Sequence, residues 1–310
     1  MPPAAHFKTD VIQNSVATLS TLQTSHSSTG VGRAFGTCGE LAQGQFDSGE
    51  DFLITLPVDT WSEVQVTVDA TSTEVRGNIE KTKTSLAIRK AVDHLGFPNW
   101  GATFQSKSEL PEGKGMASSS ADIVAACRAV SAALKLPLSA EEISRIAISI
   151  EPTDGVMYSG SVCYNHRKGN LLETFGNLPP FNLLVLDLGN QVDTVAFNQI
   201  PKNYTAVETE QINRAYELIK SGIQMQDLAQ IGLGATLSAE VNQRILIKPH
   251  FERIVSIARA HGASGICAAH SGTVLGLLFA PRASHRIATA RRSILNDVDR
   301  KIKFFETQTL

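Results

Sequence analysis

The sequence predicts an α+β chain folded as two domains. Three observations carry that expectation: a length of 310 residues, about twice a typical domain; segments of period two interleaved with segments of helical period, with no internal repeat; and a turn-rich break, "GNLPPF", near residues 175–180. The division expected is a Ser/Thr-rich tail at 1–30, an N-terminal domain at 31–178 and a C-terminal domain at 179–310.

The tail ends in "SHSSTG", a composition with too little apolar surface to order itself. It is poor in acids, as a transit peptide would be, but it also has no arginine. "DFLITLPVD" and "WSEVQVTVDA" follow and are expected to pair as strands; in the second, Val64, Val66 and Val68 alternate with Glu63, Gln65, Thr67 and Asp69. "KTSLAIRKAVDHLG" gathers Leu86, Ala87, Ala91, Val92 and Leu95 on one helical face, with Gly96 as its stop. "ATFQSKSEL" reads as a strand and "SADIVAACRAVSAALKL" as a largely buried helix ended by Pro137. In "SAEEISRIAISIE", Ser139 and Glu142 have capping-box spacing, Ile143, Ile146, Ala147 and Ile150 form the apolar stripe, and Pro152 is the stop. Beyond the break come a buried strand, "FNLLVLDLG", three helices, "ETEQINRAYELIKSG", "MQDLAQIGLGATLSAEV" and "HFERIVSIARAHGA", the strand "GTVLGLLFA" and a last helix, "ASHRIATARRSIL".

Bulk composition excludes several function classes. With 28 Lys+Arg against 30 Asp+Glu the formal charge is −2, and no basic block tracks a phosphate backbone, so nucleic acid is not an expected partner. The longest uncharged apolar runs, such as "VLGLLFA", are far too short to cross a bilayer. Cys38, Cys127, Cys163 and Cys267 lie far apart without zinc or disulfide spacing and read as reduced, mostly buried thiols. The expectation is a cytoplasmic protein with no membrane partner; assembly as a homodimer stays open.

Between a strand and a helix stands "PEGKGMASSSAD", Pro111 to Asp122. A glycine-rich loop feeding a helix N-terminus gathers unpaired N–H groups at the positive end of the helix dipole, and that combination holds anions. Gly113 and Gly115 allow close approach to a phosphate, Ala117 keeps the path clear, a serine hydroxyl can complete the shell of a phosphate-bound magnesium, and Lys114 adds a flexible positive charge. The plainer alternative is a strand-to-helix turn with a serine N-cap. The loop is not a Walker A sequence, because Lys114 is followed by Gly115, and the HRD and DFG sequences of protein kinases are absent.

The order P-x-x-x-G-M-A-S-S-S-A, Pro111 to Ala121, resembles the phosphate loop of the GHMP small-molecule kinases. "CGELAQGQF", Cys38 to Phe46, and "GICAAHSGTVLGLL", Gly265 to Leu278, stand where that superfamily would have its other motifs. Within it, "CGELAQG", "KGMASSSADI", "SIEPTDG" and "AAHSGTVLGL" are similar to the L-threonine kinases that supply cobalamin synthesis. The similarity spans roughly residues 34–280; Phe35-Gly36 departs from the usual Pro-Ala. It implies a ribosomal protein S5 domain 2-like N-terminal half, a ferredoxin-like C-terminal half, and ATP and Mg2+ as cofactors.

On that resemblance ATP and its phosphates meet Pro111, Glu112, Gly113, Lys114, Gly115, Met116, Ala117, Ser118, Ser119, Ser120 and Ala121, with Ser118 and Ser120 serving phosphate oxygens and the helix cap. Glu151 ends a helix, where the dipole disfavours a carboxylate and a cation would relieve it; the superfamily implies the same Mg2+ pairing of Glu151 with Ser119. The alternative for Glu151 is a solvated carboxylate beside a lysine. Glu142 is a rival ligand, but its capping box already explains it. Asp154, in a loop after Pro152, is the expected base for the acceptor hydroxyl, with Lys114 as its catalytic companion; an Asx turn is the alternative for Asp154. Glu40 is the candidate partner of a substrate ammonium, against a surface glutamate on a turn. His270, Ser271 and Gly272 would face the substrate or the transferring phosphate, against a satisfied core histidine at 270. The expected reaction is phosphorylation of the L-threonine side-chain hydroxyl, with another small alcohol such as homoserine, or an idle nucleotide-binding sensor, as the alternatives.

Overall fold

Strand β1 (Ser27–Gln45) begins inside the segment expected to be a tail. This computed structural model describes residues 27–190, 192, 197 and 202–310, so residues 1–26 of that tail lie outside the described residues. Residues 27–30 are strand because their small size is used: the Ser28 hydroxyl donates to the Ala133 carbonyl at 2.7 Å, and a Cβ at Gly30 would sit 2.3 Å from the Ala133 nitrogen. A composition that reads as disorder is here a strand pressed against a helix backbone.

Strand β2 (Asp51–Asp69) corrects a second expectation. "DFLITLPVD" and "WSEVQVTVDA" are successive parts of this one strand rather than two paired strands. Pro57 does not end it, because the pairing on one side changes there: Leu53 and Ile54 pair with β5 (Ser161–Asn165), whereas Val58 bridges Thr309. Such an interruption is where a strand tolerates a residue without an N–H.

The chain divides into two compact units, neither continuous in sequence. One takes in the chain through Ala34, Ser62–Lys107 and Asp122–Ile150; the other takes in Phe35–Trp61, Ser108–Ala121 and Glu151–Leu310. The boundary expected near 178 falls inside the second. In the first unit, parts of β1 and β2 are followed in the sheet by β4 (Gly101–Ser108) and the short parallel β3 (Val75–Arg76). Helix α1 (Thr82–His94), most of α2 (Ser118–Leu134) and α3 (Ala140–Ile148) belong with them. The alanines of α2 let it sink into this unit: Ile123, Val124, Cys127, Val130 and Leu134 are all fully buried. Helix α3 starts with the capping box its spacing predicts, Ser139 and Glu142 exchanging both bonds.

In the second unit the sheet runs β10 (Lys303–Gln308), β7 (Asn182–Asp187), β9 (Val274–Phe279), β8 (Gly265–Ala268) and then β1, each of these neighbours antiparallel. Strand β5 attaches to β2, and β6 (Asn170–Gly176) to β5. Helices α4 (Ala206–Met225), α5 (Leu228–Asn242) and α6 (Phe251–Ala260) stand between β7 and β8, and α7 (Ser284–Asp297) between β9 and β10. That order and those connections make the split βαβ plait expected of the C-terminal half. Its core joins Leu184, Leu186, Leu275 and Leu277 of the sheet to Ile254 and Ile257 of α6 and Ile287 and Ile294 of α7, each worth roughly 1.5–3 kcal/mol when fully buried. All four cysteines are buried and free. Among the described residues no helix is long and apolar enough to cross a membrane.

Candidate active site

Three separate sequence motifs meet within the second unit, and glycines permit it. The Gly39 N–H donates to the Gly115 carbonyl at 3.1 Å and the Thr37 N–H to that of Met116 at 3.2 Å. From the other side, the Thr273 and Val274 N–H groups donate to the Lys114 carbonyl at 3.0 and 3.2 Å. A Cβ at Gly115, whose φ is +87°, would lie 2.3 Å from the Ala269 Cβ, and one at Gly272 would lie 2.1 Å from the Lys114 oxygen. Any side chain at either position would push the loops apart.

This packing fixes which part of the loop faces outward. Pro111, Gly113, Lys114 and Gly115 are partly exposed and Glu112 is exposed, whereas Met116, Ala117, Ser118, Ser120 and Ala121 are buried. Ala117 has φ +57° immediately before α2, a left-handed conformation costing about 1–2 kcal/mol outside glycine; its side chain, like those of Met116 and Ala121, packs inward. At the start of α2 the Ala121 N–H donates to the Ala117 carbonyl at 2.8 Å, and the N–H groups ahead of it precede the helix's first i→i−4 bond. A helix start of this kind beside a partly exposed glycine loop can receive an anion.

Consecutive serines of α2 hold the two acids of the "SIEPTDG" segment. The Ser119 hydroxyl donates to a carboxylate oxygen of Glu151. The Ser120 hydroxyl donates to Asp154 Oδ2 at 3.0 Å and accepts from the Asp154 N–H at 3.1 Å. Ser120 therefore orients Asp154; the O–H expected to serve phosphate oxygens is donated to that residue in this arrangement, and one of its lone pairs is used by the same residue's N–H. Helix α3 ends at Ile148 with Ser149 as its cap, so Glu151 lies past the helix rather than in its last turn.

Asp154 keeps a strip of accessible surface yet is densely surrounded. Burial pushes its carboxyl up to about 6, and the nearby Glu151 charge adds to that, against the Ser120 hydrogen bond. Glu40 is 3% exposed, and among the described residues its Oε2 has no hydrogen-bond partner. Burial first, and then the charge of Asp154, holds its carboxyl well above the usual range. The surface-turn reading of Glu40 is thus excluded.

Lys114 is not a free cation. Its Nζ lies 2.9 Å from Asp187 Oδ1 and 2.6 Å from the Asn190 carbonyl, and Asp187 also accepts from Thr273 Oγ1 at 3.3 Å. The lysine pins the loop to the end of β7 in this arrangement, and the expected flexible charge beside the phosphates is already paired.

His270 is buried, with both ring nitrogens engaged. Gln43 Oε1 lies 2.9 Å from Nδ1; since Gln43 Nε2 donates to the Ala268 carbonyl at 3.0 Å and Oε1 also accepts from Asn242 Nδ2 at 2.7 Å, Nδ1 must carry the proton. Nε2 then accepts from the Lys202 ammonium at 2.7 Å. Burial, followed by the Lys202 charge, drives the imidazole well below its ordinary pKa and keeps it neutral. Its edge faces His166 at 4.7 Å and Phe197 at 5.5 Å between centroids. Ser271 is partly exposed and Gly272 buried in the same loop. Sequence reasoning passed over Gln43, His166, Lys202 and Lys248. Gln43 was within reach, inside "CGELAQG"; Lys202 and Lys248 are isolated lysines in turn-rich segments and carry no local signal.

Two family models match the chain: GHMP kinases N terminal domain over residues 82–161 and GHMP kinases C terminal over residues 203–295. The chain is a GHMP kinase. As such it is a small-molecule kinase that takes ATP as phosphate donor. An L-threonine kinase from Salmonella typhimurium is 30% identical over 256 residues, 81% of this GHMP kinase and 83% of that protein. Another protein of that name, from Citrobacter freundii, is 28% identical over 246 residues, covering 78% and 83%. Among solved structures, homoserine kinase from Cytophaga hutchinsonii superposes with a TM-score of 0.71 at 18% identity, covering 92% of this chain and 95% of that one. Mevalonate kinase from L. major, in complex with R-mevalonate, gives 0.67 at 17%, covering 91% and 95%. Those structures share the fold.

Proposed function

We propose that this GHMP kinase phosphorylates the side-chain hydroxyl of L-threonine, giving O-phospho-L-threonine and ADP, and that the product feeds the aminopropanol arm of cobalamin synthesis, as the resemblance of its motifs implies. The observation that carries the amino-acid reading is Glu40: a buried carboxylate with an oxygen unpartnered among the described residues, beside the candidate base, suits a cation. A threonine ammonium is such a cation, and the two L-threonine kinases of similar sequence favour that acceptor.

In this mechanism Asp154 accepts the proton of the acceptor hydroxyl as its oxygen forms a bond to the γ-phosphorus and the bond to the bridging oxygen of ADP breaks. A carboxyl pushed up to about 6 is mostly ionised at neutral pH, yet basic enough to take a developing proton. Ser120 fixes its direction from both side chain and backbone. Glu40 holds the ammonium, and the outer face of the 111–117 loop and the first turn of α2 hold the phosphates. Ser119 and Glu151 present adjacent hard oxygens, and among the described residues no cluster of three or more metal-binding side chains occurs. That fits Mg2+, which takes one or two protein oxygens and completes its shell with phosphate and water. When bound between these two residues it would neutralise phosphate charge.

Purified protein with ATP and Mg2+ tests this against L-threonine, L-homoserine and a panel of sugars and small alcohols. The expected result is ADP formation with threonine and a phosphomonoester on its side chain by phosphorus NMR. ADP formation only with homoserine or another alcohol overturns the threonine assignment. Nucleotide binding without turnover on any acceptor would make the protein a sensor.

A further inference from the structure

Two lysines whose charge reaches His270, Lys202 and Lys248, make no ion pair among the described residues, although the charge of Asp51 is felt at Lys202. Lys248 is 2% exposed, yet among the described residues it makes no ion pair, and its Nζ is 3.5 Å from the Leu246 carbonyl. Lys202 sits on His270 Nε2 and lies 4.8 Å above the centre of the Phe197 ring. Arg167 adds a third positive charge felt at the imidazole. The carboxylate on this side, Asp51, already lies 3.3 Å from Arg167. Burial pulls Lys248 down to about 7 and Lys202 to about 8. Charges assembled this way repel one another in a poorly polarisable interior, and an anion is what would stabilise them.

The position of the group says which anion. Glu40 stands opposite Ala268 in the β1–β8 ladder, and the same Ala268 accepts through its carbonyl from Gln43, the partner of His270. The Thr153 N–H, one residue from the base Asp154, donates to the His166 carbonyl at 3.0 Å, and His166 faces His270. Acids and lysines are therefore two ends of one site, linked by single residues on both sides. A zwitterion carries one charge for each end. The phosphates are provided for elsewhere, at the start of α2 and beside Ser119.

We infer that Lys202 and Lys248, with His270 as the neutral prop of Lys202, bind the α-carboxylate of the acceptor and make this kinase specific for an amino acid. The inference rests on the amino-acid reading of the acceptor and extends it to Lys202 and Lys248, which none of the motifs contains.

The test compares the wild-type enzyme with Lys248→Met and Lys202→Met, measuring KM for threonine, KM for ATP and kcat. It also uses 1-amino-2-propanol, which is threonine without its carboxylate. Losing a charge-assisted bond to the carboxylate should raise KM for threonine by about 10- to 100-fold, with KM for ATP and kcat within about threefold, and the preference of wild type for threonine over 1-amino-2-propanol should shrink by the same factor. Neither variant should unfold the protein, since methionine fills the lysine's space without its charge; a melting curve checks this, and Lys202, being less buried, serves if Lys248→Met fails to fold. Unchanged KM for threonine in both variants overturns the inference, as does a rise confined to ATP, which would make the lysines a phosphate site. If wild type turns over threonine and 1-amino-2-propanol equally well, the carboxylate subsite falls while the hydroxyl chemistry stands. If it turns over no amino acid but accepts a neutral alcohol, the amino-acid reading itself falls.

Discussion

In the first compact unit Asp122 accepts from Ser62 and lies 2.9 Å from Lys81, while Glu142 closes a capping box on Ser139 and lies 3.1 Å from His94. In the second, Glu40 keeps an oxygen with no hydrogen-bond partner among the described residues, and Asp154 is held by one serine alongside another acid. Asp122 closes the same twelve-residue stretch that carries Ser119 and Ser120, so the contrast is not one of motif against background. It separates acids whose charge is answered by a cation or several donors of the protein from acids that burial holds with fewer partners. The first kind adds to stability; the second draws on it.

Asp154→Asn should show the largest effect. As base, its loss should lower turnover at least about a hundredfold, and wild-type turnover should itself decline as pH falls through about 6, where Asp154 takes up a proton. Stability should move the other way. A carboxyl raised from its ordinary 3.8 to about 6 by the fold favours the folded state only below that range and loses this contribution as pH rises through 6. At pH 8 the ionised form is therefore a burden, and the neutral amide should raise stability by about 1–3 kcal/mol, the lower part reflecting the remaining exposure. Urea denaturation at pH 8 beside a turnover assay reads both. A variant that is inactive and also less stable would place Asp154 with Asp122 instead.

Asp122→Ala is the opposite case. It takes the Asp122 carboxylate from the Lys81 ammonium and the acceptor from the Ser62 hydroxyl, so stability should fall by about 3 kcal/mol. Lys81 is partly exposed and can reach water, which keeps the loss toward the lower end of what buried pairs show. If denaturation finds Asp122→Ala neutral or stabilising, the division between answered and unanswered acids fails.

The same division explains what the sequence revealed. The capping box at Ser139 is read from four consecutive positions because its bonds span only three residues. The amphipathic helices were equally legible, since one apolar face is a local pattern. Strand pairing is often not local: the start of β1 and the whole of β10 go unseen in the sequence because their partners lie far along the chain, whereas β5, β6 and β8 pair with sequence neighbours but show no alternation of buried and exposed residues that would mark them. In the site, Ser119, Glu151, Asp154 and Glu40 stood out through motif order, and the structure brings the Ser119 hydroxyl to Glu151 and that of Ser120 to Asp154. The lysines did not stand out. The Lys202–His270 contact joins positions 68 residues apart, and nothing in "PKNY" or "LIKPH" marks either lysine as buried.

Glu142→Gln should give the smallest effect, and a pH-dependent one. Hydrogen bonds from the Ser139 backbone, then from His94 and the Ser139 hydroxyl, hold the Glu142 carboxyl down to about 2. A lowered carboxyl contributes fully above its ordinary 4.5 and loses that contribution as pH falls from 4.5 toward 2. Glutamine keeps the reciprocal bonds of the box, since either residue serves there, and removes only the charge. The side chain is 31% exposed, so water screens much of what the charge gains. The expected deficit at pH 7 is about 0.5–1 kcal/mol, narrowing to nothing near pH 2. Paired denaturation curves at pH 7, 4 and 2.5 measure it. A deficit that stays constant with pH would mean the glutamate acts by shape alone, and a deficit well above 1 kcal/mol would mean its charge is less screened than its exposure suggests.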